Sequence, residues 1–117
     1  YEILHGYDEI LLAGISLGVN AAVGSTYNYM PSVYTGLWEA FRHGDMDRAR
    51  KLQQFSVSIV KILIRYGGGV RAGKAIMSLV GIDCGSCRLP IREMDATEKE
   101  NLRKDLSEAG FFKMVNQ

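Results

Sequence analysis

Two glycine-led polar segments, each placed after a short apolar run, constrain the fold of this chain more than any other feature. The first is Gly-Tyr-Asp-Glu at residues 6–9, and the second is Gly-Ser-Thr-Tyr-Asn at residues 24–28. A helical pattern follows each of them. An apolar run, a helix and a second apolar run predict a βαβ unit, in which the strands are parallel and the crossover is right-handed. Because ligands bind at the carboxyl ends of such strands, we expect both segments at one ligand-binding edge.

The apolar runs define the predicted secondary structure of this first part and assign it to the α/β class. We predict strands over residues 1–5 and 19–23, the second of them built from small residues. Between them, residues 10–17 are apolar nearly all round, which is typical of a buried helix, and Gly18 is placed to end it.

After about Pro31 the sequence predicts helices only. Apolar residues recur three or four positions apart, as on the buried face of an amphipathic helix. Pro31 suits a first helical turn, and Asp45 suits a helix N-cap. Asp95 and Glu98 have the spacing of a capping box. We expect helices over residues 30–44, 45–66, 71–80 and 95–110, a helix stop at the glycines of 67–69, and an irregular segment at 81–94.

The composition argues against two classes of partner. The chain is 47% hydrophobic and 23% charged, as in an ordinary globular protein. Fourteen basic residues against thirteen acidic ones leave a net charge of +1, so electrostatics favours no nucleic acid. The longest apolar run, at residues 10–15, is far shorter than a bilayer requires. We therefore expect neither nucleic acid nor membrane as a partner.

The only Cys-x-x-Cys pair consists of Cys84 and Cys87. A zinc site needs two more ligands, no second cysteine pair exists, and His5 and His43 lie far away in the sequence. We therefore interpret Cys84 and Cys87 as two free thiols in a loop, which suits a reducing cytoplasm. No metal site is expected.

The carboxylates of Asp8 and Glu9 have two interpretations. At the start of a helix they can act simply as capping groups near the positive end of its dipole. Alternatively, they can recognise a hydroxylated ligand, because carboxylates accept charge-assisted hydrogen bonds from sugar hydroxyls. Ser25 is open to the same choice between a helix cap and a small-group site. No Lys or Arg lies in the second segment, which favours a neutral hydroxylated ligand over phosphate.

Two other features that could suggest a ligand-binding or catalytic site are better explained by structural roles. The glycines at residues 67–69 follow a helix and lack the residue order of a phosphate-binding loop. Lys74 is a nucleophile by residue type, but it falls on a predicted helix and not at a strand end. We expect Lys74 to be a structural or surface lysine.

Taken together, the segments at residues 6–9 and 24–28 resemble the seventh and eighth strand ends of N-acetylneuraminate lyases, also called sialic acid aldolases. Residues 37–41, 74–77 and 87–90 resemble the C-terminal helices and exit loop of that family. The resemblance implies the C-terminal part of a (β/α)8 TIM barrel. Residues 1–30 would form the last two βα units with their ligand-facing turns, and residues 31–117 would form C-terminal helices of the same domain.

The resemblance also implies an activity. The family cleaves N-acetylneuraminate to N-acetylmannosamine and pyruvate through a lysine Schiff base, without a cofactor, as a cytoplasmic homotetramer. By matching positions, Gly6, Asp8, Glu9 and Ser25 would bind the sugar acid. Asp8 and Glu9 would hold the polyol tail, Ser25 would bind near it, and the Gly6 backbone would offer a carbonyl.

The family's Schiff-base lysine, its partner tyrosine and its pyruvate-carboxylate loop all come from earlier strands. We therefore expect no catalytic residue in this segment and an upstream barrel half in the same protein. Two alternatives remain: another pyruvate-dependent class I aldolase, such as a dihydrodipicolinate synthase-like enzyme, or a non-enzymatic helical interaction module.

Overall fold

Six α-helices and two short 3₁₀ turns form in the computed structural model of this chain, which describes residues 1–115. Residues 116 and 117, at the end of the predicted helical region, lie outside the described residues. In chain order the elements are the 3₁₀ turn Asp8–Ile10, α1 (Leu11–Ser16), the 3₁₀ turn Ser25–Asn28, α2 (Pro31–Arg42), α3 (Met46–Arg65), α4 (Gly68–Leu79), α5 (Ala96–Glu108) and α6 (Phe111–Val115).

The predicted starts of α2, α3 and α5 are confirmed, because each depends on a local capping signal. Pro31 occupies the first turn of α2, where its missing N–H costs no hydrogen bond. The Asp45 side chain accepts a hydrogen bond from the Arg48 N–H at 3.0 Å, which caps α3. Asp95 and Glu98 form a complete capping box, in which each side chain accepts from the other's backbone N–H.

The helices differ from the prediction in one boundary and in one additional helix. Gly67 ends α3 with a φ of +95°, as expected of a helix stop, but α4 begins at Gly68 and not at Arg71. Gly110 ends α5 with a φ of +80°, and the chain then enters the unpredicted helix α6. Five residues are too few to show a helical period, so α6 depends on a tertiary contact: Phe111 is fully buried beside Tyr29.

The two predicted strands do not form as extended elements within residues 1–115. Within residues 1–115 the segments pair through a single parallel bridge, between His5 and Ala22. The His5 N–H donates to the Ala21 carbonyl at 3.0 Å, and the Val23 N–H donates to the His5 carbonyl at 2.9 Å. A ladder needs successive pairs of this kind, whereas Ile3 is 76% exposed and makes no backbone hydrogen bond in the described part. The parallel direction is correct, but no barrel sheet is formed by these residues.

Helix α1 is less buried than its apolar sequence predicts. Leu11 and Ile15 are buried, but Ile10 and Leu17, which flank α1 within the predicted helix, are half exposed and 87% exposed. The helix spans only six residues and packs on one side, against α2 and α3, so it cannot bury every apolar side chain.

Helices α2 and α3 form the centre of the molecule and make its most extensive helix–helix contact. Val33 and Leu37 of α2 share one hydrophobic core with Ile59 and Leu63 of α3, as the predicted apolar faces require. Phe111 of α6 belongs to the same core. No helix in the described range 1–115 is long and apolar enough to cross a membrane.

Candidate functional site

The two glycine-led segments meet in space, as predicted. The parallel bridge between His5 and Ala22 places the ends of the two apolar segments side by side. Each segment then continues into its own 3₁₀ turn. A direct hydrogen bond joins the segments: the Thr26 N–H donates to Asp8 Oδ2 at 3.2 Å. The turns therefore form one polar edge.

A cavity of about 290 Å³ opens at this edge. Gly6, Asp8, Glu9 and Ser25, the four residues singled out from the sequence, all line it. Helix α3 contributes an apolar wall on which Val60, Leu63 and Ile64 lie. The cavity thus combines hydroxyl-binding groups with an apolar surface, a combination common in small-molecule sites.

The four residues differ in their accessibility. Asp8 is only 7% exposed, Glu9 is half-buried, and Gly6 and Ser25 are exposed. The Ser25 hydroxyl lies close to Gly69 of α4, where a Cβ atom would stand only 3.1 Å from its oxygen. Glu9 and Ser25 are therefore the side chains that a ligand in the cavity can approach most directly.

The two oxygens of the Asp8 carboxylate have different surroundings. Oδ2 accepts from the Thr26 backbone N–H and from the Thr26 hydroxyl, the latter at 2.5 Å. Oδ1 is buried and has no hydrogen-bond partner among the described residues. One oxygen is thus fully engaged, while the other retains its capacity to accept a hydrogen bond.

Three buried hydroxyl groups continue from Asp8 into the interior. The Thr26 hydroxyl lies 2.5 Å from the Tyr34 hydroxyl, which in turn lies 2.7 Å from that of Ser56. We call Thr26, Tyr34 and Ser56 the hydroxyl chain. It connects the second 3₁₀ turn with α2 and α3, and all three residues are buried.

A second contact from α3 holds the backbone of the first turn. The Gln53 side-chain amide donates to the Asp8 carbonyl at 3.1 Å, and its oxygen accepts from the Leu12 N–H at 2.8 Å. Gln53 therefore satisfies one acceptor and one donor at the start of α1, where helix N–H groups otherwise lack partners.

Tyrosine hydroxyls near the site stay protonated at neutral pH. Burial raises the pKa of Tyr34 to about 12, although its hydrogen bonds with Ser56 and Thr26 act in the opposite direction. Burial, followed by the charge of Asp8, also raises the pKa of Tyr27 well above its ordinary value. Both tyrosines are therefore neutral, and Tyr34 is the one whose hydroxyl forms hydrogen bonds among the described residues.

The hydroxyl chain and Gln53 were not recognised as site residues from the sequence. One signal was available for Ser56, because a serine stands within the otherwise apolar buried face of α3. Nothing local marks Tyr34 or Gln53, since their partners lie far away in the chain.

Lys74 has a structural role, as expected. Its ammonium group donates to the carbonyl oxygens of Cys84 and Ser86 at 3.0 and 2.8 Å, so it anchors the irregular segment to α4. Cys84 and Cys87 are free thiols in that segment. No group of three or more His, Cys, Asp or Glu side chains within residues 1–115 is arranged to hold a metal ion.

Known proteins resemble this chain in both sequence and fold. A sequence profile of the Dihydrodipicolinate synthetase family matches residues 1–109. This chain belongs to that family. The match covers both turns, the hydroxyl chain and all of α5. Similarity to proteins named N-acetylneuraminate lyase confirms the resemblance seen in the sequence.

Individual members of the family are similar over most of this chain. N-acetylneuraminate lyase from Rhizobium meliloti is 31% identical over 102 residues, covering 87% of this chain and 34% of that protein. The Gallus gallus enzyme is 40% identical over 92 residues, covering 78% and 30%. The structure of Proteus mirabilis N-acetylneuraminate lyase superposes with a TM-score of 0.88 at 40% identity, covering 95% and 37%. The chain thus spans about a third of the length of these relatives.

Proposed function

We propose that the whole protein is an N-acetylneuraminate lyase, which cleaves N-acetylneuraminate to N-acetylmannosamine and pyruvate through a lysine Schiff base. The names of the relatives at 31% and 40% identity support this activity. In this proposal residues 1–30 are the last two βα units of a (β/α)8 barrel, and residues 31–117 are C-terminal helices of the same domain. The upstream barrel half supplies the Schiff-base lysine, and this chain supplies part of the sugar site.

Each of the four cavity residues has a role in this proposal. The Glu9 and Asp8 carboxylates accept hydrogen bonds from the polyol tail of the sugar acid. Ser25 binds beside them from the neighbouring turn, and the Gly6 backbone offers its carbonyl. A charge-assisted hydrogen bond of this kind contributes roughly 1.5–3 kcal/mol, and a neutral one about 1 kcal/mol.

One observation carries the proposal. Gly6, Asp8, Glu9 and Ser25 come from two segments that are separated along the chain, and yet they line a single cavity. Helix capping alone would require no such convergence.

The test uses the complete protein and a series of sugar acids with progressively shorter polyol tails. We expect Asp8→Ala and Glu9→Ala to lower kcat/KM for N-acetylneuraminate about 10- to 150-fold. Pyruvate trapping by borohydride, measured as a covalent mass gain, should persist in both variants. Asp47→Ala, which removes an exposed carboxylate that does not line the cavity, serves as the matched control.

The dependence on tail length distinguishes binding from capping. The wild-type enzyme should lose activity as the tail shortens, whereas the Asp8 and Glu9 variants should become nearly indifferent to its length. Equal losses on every substrate would mean that the two carboxylates only cap a helix.

Two alternatives remain testable in the same experiment. A dihydrodipicolinate synthase-like aldolase is supported by the family profile, and it would trap pyruvate without any preference for a polyol tail. A helical interaction module is supported by the predominance of helices, and it would trap no pyruvate. The polar cavity at Asp8 and Glu9 favours the sugar acid over both.

The remaining properties of the proposal come from the family resemblance. The enzyme acts as a cytoplasmic homotetramer, with no metal or organic cofactor and with neither nucleic acid nor membrane as a partner. The two free thiols, Cys84 and Cys87, are consistent with a reducing compartment.

A further inference from the structure

The hydroxyl chain has only one consistent direction when Asp8 is ionised. A carboxylate can only accept hydrogen bonds, so the Thr26 hydroxyl must donate its single proton to Oδ2. The Tyr34 hydroxyl must then donate to Thr26, and that of Ser56 to Tyr34. All three protons therefore point toward the negative charge.

Such an aligned chain holds its end group firmly. Each hydroxyl polarises the next, and the low dielectric of the interior strengthens every hydrogen bond in the series. Thr26, Tyr34 and Ser56 are at most 5% exposed, so water does not compete for these groups. The chain thus determines which carboxylate oxygen is engaged and leaves Oδ1 as the unpaired acceptor.

Helix α3 holds the same turn at two points. Ser56 acts on the Asp8 side chain through Tyr34 and Thr26, while Gln53 binds the Asp8 carbonyl directly. Gln53 and Ser56 are three positions apart, so they lie on one face of α3. The orientation of the turn that carries Glu9 is therefore set by α3.

We propose that Thr26, Tyr34 and Ser56 are positioning residues for the sugar site, which hold the Asp8 carboxylate and its turn in the orientation that the polyol tail requires. The inference rests on the proposed function, because it assigns a role to groups that do not touch the substrate themselves. Without the hydroxyl chain, the carboxylate rotates and both of its oxygens lose their fixed directions.

The experiment compares two buried tyrosines in the complete protein. Tyr34→Phe removes a hydroxyl from the chain, whereas Tyr29→Phe removes a buried hydroxyl that has no hydrogen-bond partner among the described residues. We expect Tyr34→Phe to raise KM for N-acetylneuraminate and to lower kcat/KM about 3- to 10-fold, as for the loss of one neutral hydrogen bond. Tyr29→Phe should match the wild type, and pyruvate trapping should be unchanged in both.

A second pair of variants tests the same hydroxyl chain if Tyr34→Phe fails to fold. Thr26→Val is close to threonine in shape but lacks the hydroxyl, and it should lose activity to a similar extent. Thr26→Ser keeps the hydroxyl and should recover most of that loss. If Tyr34→Phe does not fold, the comparison of Thr26→Val with Thr26→Ser decides the question.

A double-mutant cycle tests whether the hydroxyl chain acts through Asp8. In an Asp8→Asn background, Tyr34→Phe should cause no further loss, because the group that it positions is already altered. An equal loss in both backgrounds would overturn the proposal, and so would identical behaviour of Tyr34→Phe and Tyr29→Phe.

A measurement independent of activity separates this inference from the proposed function. Hydrogen–deuterium exchange over residues 6–12 should be faster in Tyr34→Phe than in Tyr29→Phe. If the wild-type protein neither traps pyruvate nor cleaves N-acetylneuraminate, the proposed function fails. The exchange result alone then decides whether the hydroxyl chain holds Asp8. Equal exchange in the two variants would contradict that role.

Discussion

Gly24 packs against the Asp8 carboxylate so closely that no side chain fits between them. A Cβ atom at Gly24 would lie 1.8 Å from Asp8 Oδ1 and 2.4 Å from its Cγ. Both atoms belong to a buried group that Thr26 holds in place, so Asp8 could move aside only by giving up its hydrogen bonds with Thr26. The glycine of the second turn is thus required by the carboxylate of the first.

This contact makes Gly24→Ala a disruptive substitution. We expect it to lower the free energy of unfolding by about 1–3 kcal/mol, the usual cost of overpacking, and to impair cleavage of N-acetylneuraminate. Gly73→Ala is the control, because its Cβ would meet Tyr29 at an ordinary 3.7 Å within α4. Chemical denaturation of both variants measures the difference, and equal stabilities would contradict the packing argument.

The two buried tyrosines should respond in opposite ways to loss of the hydroxyl. Tyr34→Phe leaves the buried Ser56 hydroxyl without its partner and removes the donor to the Thr26 hydroxyl, so we expect a loss of about 1–3 kcal/mol in the free energy of unfolding. Tyr29→Phe removes an unpartnered buried hydroxyl and should be neutral or stabilising. Urea denaturation at pH 7 measures both, and a destabilised Tyr29→Phe would show that its hydroxyl does form a hydrogen bond.

Acid stability should depend on Glu98. Hydrogen bonds from Arg92 and then Arg71, together with the Asp95 N–H, lower its pKa from 4.5 to about 2. Because the folded state favours the ionised form, Glu98 stabilises the fold fully above pH 4.5, and its contribution disappears as the pH falls toward 2. The thermal unfolding midpoints of the wild type and Glu98→Gln should therefore converge as the pH falls from 4.5 to 2. A difference that stays constant from pH 6 to 2 would contradict the assignment.

Lys74 should affect the irregular segment and not the chemistry. Lys74→Ala removes the ammonium group that binds the Cys84 and Ser86 carbonyls, so hydrogen exchange over residues 81–94 should become faster. In the complete protein, pyruvate trapping by borohydride should continue. Lys104→Ala, at an exposed position of α5, is the control. Loss of trapping in a folded Lys74 variant would instead identify Lys74 as the Schiff-base residue.

Predictions that needed only neighbouring residues were the most accurate. Asp45, Asp95 and Glu98 act within one helical turn, so the sequence predicts both the helices and their caps. The strands predicted at residues 1–5 and 19–23 do not form in the described residues, for the opposite reason. A strand depends on hydrogen bonds from neighbouring strands, and only one bridge forms among residues 1–115.

The candidate site divides in the same way. Gly6, Asp8, Glu9 and Ser25 could be recognised because each follows an apolar run at a predicted turn, and the cavity brings all four together. Their roles in binding stay a proposal. What the sequence could not indicate is that one oxygen of Asp8 is engaged by Thr26 while the other has no partner in the described chain.

The turns, the helix caps and the apolar faces of α2 and α3 could be predicted from the amino-acid sequence, because these depend on residues a few positions apart. Two contacts became visible only in the folded protein: Ser56 is linked to Asp8 through Tyr34 and Thr26, and Gln53 binds the Asp8 carbonyl from 45 positions away. Those contacts depend on how α2 and α3 pack against each other and against the turns. Packing joins residues that no local pattern relates, since it is set by the shapes of whole helix faces.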